Sequence, residues 1–318
     1  MEQNFDLEAA HDGMGTRMCH RVFGRNASEA LLAVKAEAIR LESLLSRFLP
    51  DSCIGRLNGS AGIRSERVSS EAFAVLERSK AVSEAADGAF DATIGPLVDL
   101  WDYKHSNEPP EGARIRQVMP LVDYRSLHLD GSQKTASLER MGQSVDLGGI
   151  GKGFASDSFM DVLREYGITS AYSNIGGNVS TLGLRPDGSP WSVGIRHPRK
   201  DCLIGAVQVN GEAVVTSGDY ERYFIDGNGR RRHHILDPRT GYPAESGLIS
   251  VTVVGKSALI ADALSTAIFV SGLEKGLGVL SRYGNTQAIL IDGNLKVYCT
   301  EGLRNRFNVI SGAVMAYV

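Results

Sequence analysis

The chain contains no run of about 18 apolar residues, so no stretch of it is long enough to cross a membrane as a helix. It also lacks a basic block. Its 34 Lys and Arg against 37 Asp and Glu leave a formal charge of −3, which argues against nucleic acid as a partner. Cysteine is sparse: Cys19, Cys53, Cys202 and Cys299 stand singly, with no CxxC spacing for zinc and no disulfide framework. They read as reduced thiols. Residues 1–13 are acidic and polar and lack the charged-then-apolar order of a signal peptide. The sequence as given therefore reads as cytoplasmic; a periplasmic or membrane-anchored protein is the alternative if a leader was removed. No linker, repeat or low-complexity tract divides the chain. The expectation is a flexible N-terminal segment, 1–13, followed by one domain, 14–318.

What is abundant is glycine, 36 of 318 residues or about 11% against a usual ~7%. The glycines cluster, as expected of tight loops whose backbone approaches a ligand. Between these loops the pattern predicts a strand over 14–22 and a helix over 29–49 capped by Ser28. Further helices are predicted over 70–86, 93–101, 152–166 and 258–270, with an exposed polar loop over 105–117. From residue 126 onward short strands are expected, including 144–147, 171–175, 213–216, 233–236 and 250–254. This is a mixed α/β (α+β) chain without regular βαβ alternation, with largely antiparallel sheets and packed helices.

The helix candidate 257–270 carries the sharpest signal. It is nearly all apolar, yet Asp262, Ser265 and Thr266 interrupt it at i, i+3, i+4, on one face. A buried carboxylate must be compensated, either by a hard cation or by a Lys or Arg. In the second case Ser265 and Thr266 would bond back to their own helix. Upstream, Val145-Asp-Leu-Gly-Gly-Ile-Gly-Lys-Gly-Phe154 runs from a strand through glycines into a helix, which suits a phosphate at a helix N-terminus with Lys152 as a mobile cation. It is neither GxxxxGK[ST] nor GxGxxG; the alternative is a glycine turn needed only for close packing. Asn174-Ile-Gly-Gly-Asn178 and Thr216-Ser-Gly-Asp-Tyr-Glu-Arg-Tyr-Phe224 are turn-rich segments of the same kind, with Tyr220 or Tyr223 either stacking on a flat ring or lying in the core. In His233-His-Ile-Leu-Asp-Pro-Arg-Thr-Gly-Tyr-Pro243 a histidine beside an Asp turn suits acid–base work or a structural role, and no further ligand spacing makes the pair a zinc site.

Taken in order, the segments MGT, SRFLPDSCIGRLN, GAFDATIGPLVDLW, VDLGGIGKGFASD, SNIGGNV, TSGDYERYF, HHILDPRTGYP and ADALSTAIFVSG resemble the ApbE family of FAD:protein FMN transferases. The resemblance implies a T-fold-like architecture with FAD in a cleft between lobes. It implies transfer of FMN from FAD to a Ser or Thr of an acceptor protein, with release of AMP and with Mg²⁺ as cofactor. Some members instead hydrolyse FAD as a pyrophosphatase, and a non-catalytic FAD-binding protein is the third possibility. Carried over, the metal ligands are Asp262, Thr266, Ser265 and the Gly149 carbonyl. The FAD contacts are Met14, Phe48, Ala89, Phe90, Asp91, Asp146, Lys152, Leu236 and Thr240. His234, with Asp262, carries the catalysis, the histidine taking the acceptor's proton. Three departures stand out: Gly149 where relatives often carry alanine, Phe48 where they often carry tyrosine, and no lipobox cysteine near the start.

Overall fold

A computed structural model describes residues 6–318. Strands β1 (Asp6–Gly13) and β2 (Thr16–Phe23) form an antiparallel hairpin joined by Met14 and Gly15, both at positive φ (50° and 71°), the backbone a two-residue hairpin turn requires. The flexible segment expected over 1–13 is thus corrected over 6–13; residues 1–5 lie outside the described part. β1 gives little signal because it is an edge strand with one exposed and one only half-buried face, without period-2 apolar alternation.

Helix α1 (Ala27–Leu45) buries Ala30, Val34, Ala38, Leu41 and Leu45, one stripe at helical spacing. It starts behind Asn26 rather than Ser28 and ends four residues before Leu49. Helix α2 (Cys53–Gly59), strand β3 (Glu66–Arg67), helix α3 (Ser70–Ala85) and helix α4 (Gly95–Trp101) follow. The predicted loop over 105–117 instead holds helix α5 (Gly112–Val118), whose single buried residue, Ile115, leaves almost no apolar pattern to read. Strands β4 (Leu127–Asp130) and β5 (Thr135–Leu138) complete a small sheet with β3.

Beyond it come helix α6 (Gly151–Glu165) and strands β6 (Ser170–Ile175), β7 (Asn178–Leu182), β8 (Trp191–Arg196), β9 (Leu203–Val209) and β10 (Ala213–Gly218). Strands β11 (Tyr223–Ile225) and β12 (Arg231–His233) make a separate ribbon, so the strand expected over 233–236 ends at its first residue, and Leu236 instead pairs with Pro243 across a turn. Strand β13 (Leu248–Gly255), helices α7 (Ala258–Ser271) and α8 (Leu273–Leu280), and strands β14 (Gln287–Asp292), β15 (Val297–Cys299), β16 (Phe307–Val309) and β17 (Met315–Tyr317) close the chain. The strand expected over 144–147 does not form. Ser144 makes one isolated bridge to Ile94, because Asn58 occupies both backbone groups of Val145 (Nδ2 to O, 3.0 Å; N to Oδ1, 2.7 Å).

Nine strands form one sheet, in the order β1-β2-β6-β7-β10-β13-β14-β15-β17, antiparallel except for β15 beside β17. β13 is buried along its whole length, the signature of a strand covered on both faces. Helix α7 lies on one of them and joins the main core through Leu264, Ile268 and Phe269, while α1 and α6 cover the β2–β6 end around Phe159.

Candidate functional site

Helices α6 and α7 meet head to head, and one glycine decides how closely. A Cβ on Gly153 would lie 2.3 Å from the Ala258 carbonyl oxygen, so only glycine lets the two backbones touch. At that crossing each helix caps the other. The N-cap of α6, Ile150, offers no side-chain acceptor. Asp262 of α7 supplies one, its Oδ2 accepting from the Gly153 N–H at 2.9 Å. In return Asp157 of α6 accepts from the Ala258 N–H (2.7 Å), the Leu259 N–H (3.1 Å) and the Ser257 hydroxyl (2.8 Å). Each carboxylate sits where the positive end of the other helix favours it.

Asp262 is 4% exposed. With Oδ2 committed, its Oδ1 faces the Lys152 ammonium at 3.7 Å, and that ammonium also donates to the Gly148 carbonyl at 3.0 Å. One turn on, Thr266 presents its hydroxyl beside Gly149: a Cβ on Gly149 would lie 3.5 Å from Thr266 Oγ1 and 3.1 Å from the Phe90 ring. The structure thus brings Asp262, Thr266, Gly149 and Lys152 together. Ser265 belongs behind this face. It is fully buried, it donates to the Asp262 carbonyl at 2.9 Å, and it pairs with Ser217 Oγ at 2.8 Å. Both hydrogen bonds hold it as a buttress, which corrects its place among the ligands. Ser217, at the end of β10, also reaches Thr266 Oγ1 at 3.2 Å and ties the sheet to the helix face. The sequence segment around it was singled out, but nothing local marked Ser217 itself.

No group of three His, Cys, Asp or Glu side chains gathers among the described residues. One carboxylate with neutral oxygens is the donor set of a hard cation that takes its remaining ligands from water and substrate phosphate. The residues present fit Mg²⁺ on that chemistry.

The glycine turn is held from outside. Asp146 accepts from the Gly148 N–H at 2.7 Å and from Arg47 Nη1 at 2.8 Å, and Arg47 also pairs with Asp99 at 2.5 Å. Asn58 pins Val145, so Arg47 and Asn58 position the turn; both lie in the segment SRFLPDSCIGRLN, but nothing local gives them this role. Next to Arg47, Phe48 is 72% exposed, with the Arg47 and Lys104 cations 5.4 and 5.5 Å from its ring centre. Met14, in the β1–β2 turn, reaches toward Gly151: a Cβ there would lie 4.0 Å from its terminal methyl. Ala89, Phe90 and Asp91 are buried. The Asp91 carboxylate is engaged by the Thr93 N–H and hydroxyl (both 2.7 Å) and the Tyr124 N–H (2.8 Å), so it shapes the loop. Burial raises its carboxyl above the ordinary value, against those hydrogen bonds.

His234 follows β12. Its Nδ1 lies 3.1 Å from the Arg222 carbonyl, which only accepts, so Nδ1 carries the proton and Nε2 keeps its lone pair. Burial, with the nearby Arg222, His233 and Lys152 charges, lowers its pKa to about 4, leaving a neutral imidazole. His233 is structural: its Nε2 meets the Ala244 carbonyl at 3.1 Å and its ring packs edge-on against Phe269. Leu236 is buried, and Thr240 lies apart from the helix heads, lining a cavity of about 550 Å³ with Arg230, Arg232, Arg239 and Tyr242. Tyr220 is held inward by Ser250 at 3.3 Å, whereas Tyr223 is exposed beneath the Arg231 guanidinium.

Comparison with known proteins gives one consistent answer. The pattern described as the ApbE family matches residues 14–290. A Klebsiella pneumoniae protein named FAD:protein FMN transferase is 38% identical over 85% of this chain and 84% of its own length. One of the same name from Treponema pallidum is 33% identical over 93% of this chain and 87% of its own. The crystal structure of the ApbE protein of Thermotoga maritima superposes with a TM-score of 0.87 at 30% identity, covering 95% of this chain and 99% of that one. The flavin transferase ApbE of Vibrio cholerae superposes with a TM-score of 0.86 at 26% identity, over the same shares.

Proposed function

The chain belongs to the ApbE family and is a transferase that moves FMN from FAD to an acceptor protein; we propose that it does so at the α6–α7 head, with Mg²⁺. The observation that carries this assignment is the buried Asp262 carboxylate, compensated by one mobile ammonium and flanked by neutral oxygens. Asp262 Oδ1, the Thr266 hydroxyl and the Gly149 carbonyl would hold the cation. When bound, it neutralises charge developing on the phosphate oxygens.

The chain's own groups do the rest. With the Gly151, Gly153 and Phe154 N–H groups already held by the Leu147 carbonyl, Asp262 and the Ile150 carbonyl, Lys152 binds the pyrophosphate through its ammonium. Asp146 and Arg47 keep the glycine turn in shape beneath it. Phe48 offers an exposed ring against which a flat heterocycle stacks. His234 Nε2 accepts the proton of the acceptor Ser or Thr hydroxyl as that oxygen attacks the phosphorus on the FMN side. The bond from that phosphorus to the bridging oxygen breaks, and AMP leaves with the electron pair.

The test is incubation with FAD, MgCl₂ and a protein acceptor carrying an exposed threonine, read by intact mass and by AMP release. Stoichiometric gain of FMN mass with AMP supports transfer. AMP and FMN released with no mass gain on any acceptor tried would make the protein a pyrophosphatase. Asp262→Ala should abolish both products while leaving circular dichroism unchanged; retained turnover would remove the proposed ligand set.

A further inference from the structure

Lys152 stands where two requirements collide. Asp262 has two carboxylate oxygens, and Oδ2 is fixed by the Gly153 N–H at 2.9 Å as the cap of α6. Oδ1 is the oxygen without a backbone hydrogen bond and the better placed for a cation, and among the described residues it meets the Lys152 ammonium, at 3.7 Å. The same ammonium donates to the Gly148 carbonyl at 3.0 Å, one residue before the backbone of Gly149. The lysine thus reaches toward the same pair of features, one acidic oxygen and the glycine-turn main chain, that a divalent ion would use. A unit charge and a divalent charge cannot share one oxygen at contact distance without strong repulsion.

We propose that Lys152 is an internal competitor for the cation, and that the dinucleotide's pyrophosphate removes it; this rests on the metal reading above. The lysine sits in the first turn of α6 on a flexible four-carbon stem, its side chain 27% exposed, so its ammonium can turn to an incoming anion. A bound pyrophosphate gives the ammonium a new anionic partner and frees Asp262 Oδ1. Cation and FAD therefore bind cooperatively, each making room for the other, and by linkage the coupling is reciprocal. Until then the ammonium keeps the buried carboxylate compensated, so the mutual caps of α6 and α7 persist without metal.

Calorimetric titration with Mn²⁺ alone tests this on the wild type and on Lys152→Met, with Lys152→Gln as a second variant that keeps a donor for the Gly148 carbonyl. Both variants should bind Mn²⁺ at least tenfold tighter than wild type. Without metal their thermal midpoints should lie below wild type, and Mn²⁺ should restore them. FAD should tighten Mn²⁺ binding to the wild type about tenfold more than it tightens binding to the variants, in which direct ligation by phosphate is the only coupling left. Equal or weaker Mn²⁺ binding by the variants overturns the competitor role while leaving the metal site standing. If wild type with FAD binds Mn²⁺ no better than Asp262→Asn does, the metal site itself is wrong.

Discussion

His234 is fixed in the tautomer that the proposed base requires. Arg222 holds the proton on Nδ1, and burial keeps the ring neutral down to about pH 4. The expected kcat/KM profile is accordingly flat between pH 5 and 8; an inflection near 6.5 would show that another group does the work. His234→Ala should lower kcat by roughly 10²–10⁴, the usual weight of a general base, with little change in the KM for FAD. A buried histidine contributes to stability. His20 is 2% exposed, its Nδ1 meets Ser173 Oγ at 2.8 Å, and its ring stacks on His11 with centroids 5.1 Å apart. Burial, with the neighbouring His11, depresses its pKa to about 4, and His11 is lowered too by burial and by Lys35. Between pH 6.5 and 4 the unfolded chain therefore binds the proton and the folded one does not. Folding stability should fall as pH drops through that window, by up to roughly 3 kcal/mol for His20. Urea unfolding at pH 7 and pH 4.5 measures it, and His20→Leu should shrink the difference without removing it, since His11, His197, His233 and His234 are lowered as well. At this scale the sequence revealed residues whose type announces chemistry, Asp262, Lys152 and His234 among them. It marked the segments that hold Arg47, Asn58 and Ser217 but not what they do, because they act on partners 48 to 99 positions away. It also could not show that Ser265 and Asp91 turn inward, since side-chain direction follows from packing.

The pair of crossed helices is the element on which the site depends. Gly153→Ala places a methyl 2.3 Å from a backbone oxygen, and neither helix has a flexible side chain there to yield. The expected loss is about 2 kcal/mol or more, by analogy with overpacked cores, visible as a lower thermal midpoint and weaker Mn²⁺ binding together. A normal midpoint with intact metal affinity would mean that the helices separate at no cost. Elements with a clear period, such as α1, α3 and α7, were readable in advance. Those that failed share physical causes: β1 has no fully buried residue, and α5 buries a single side chain. α8 was hidden by two glycines, one of which is required because a Cβ on Gly276 would strike Ile268 at 2.7 Å.

Across the whole molecule, the nine-stranded sheet gathers contributions from residue 14 to residue 266 onto one end of α6 and α7. A ligand that binds only this assembled arrangement stabilises the entire fold by mass action, about 2.7 kcal/mol at a hundredfold excess over its Kd. FAD with Mg²⁺ should raise the thermal midpoint of the wild type by several degrees and that of Asp262→Ala by much less; equal shifts would place FAD elsewhere. The order of the recognisable segments disclosed the family before any coordinates. The sheet order that brings β10 beside β7 and β13 did not follow from local pattern, because strand pairing between distant segments leaves no periodic trace.

The contact between Gly153 and the Ala258 carbonyl has one last consequence. Main chain resting on main chain acts as a gauge block, so the span from the glycine turn to the Asp262 carboxylate is independent of how bulky the surrounding side chains are. Substitutions in the nearby core can loosen or tighten the grip on the two helices, but they cannot widen that opening to suit a larger ion without first prising the backbones apart.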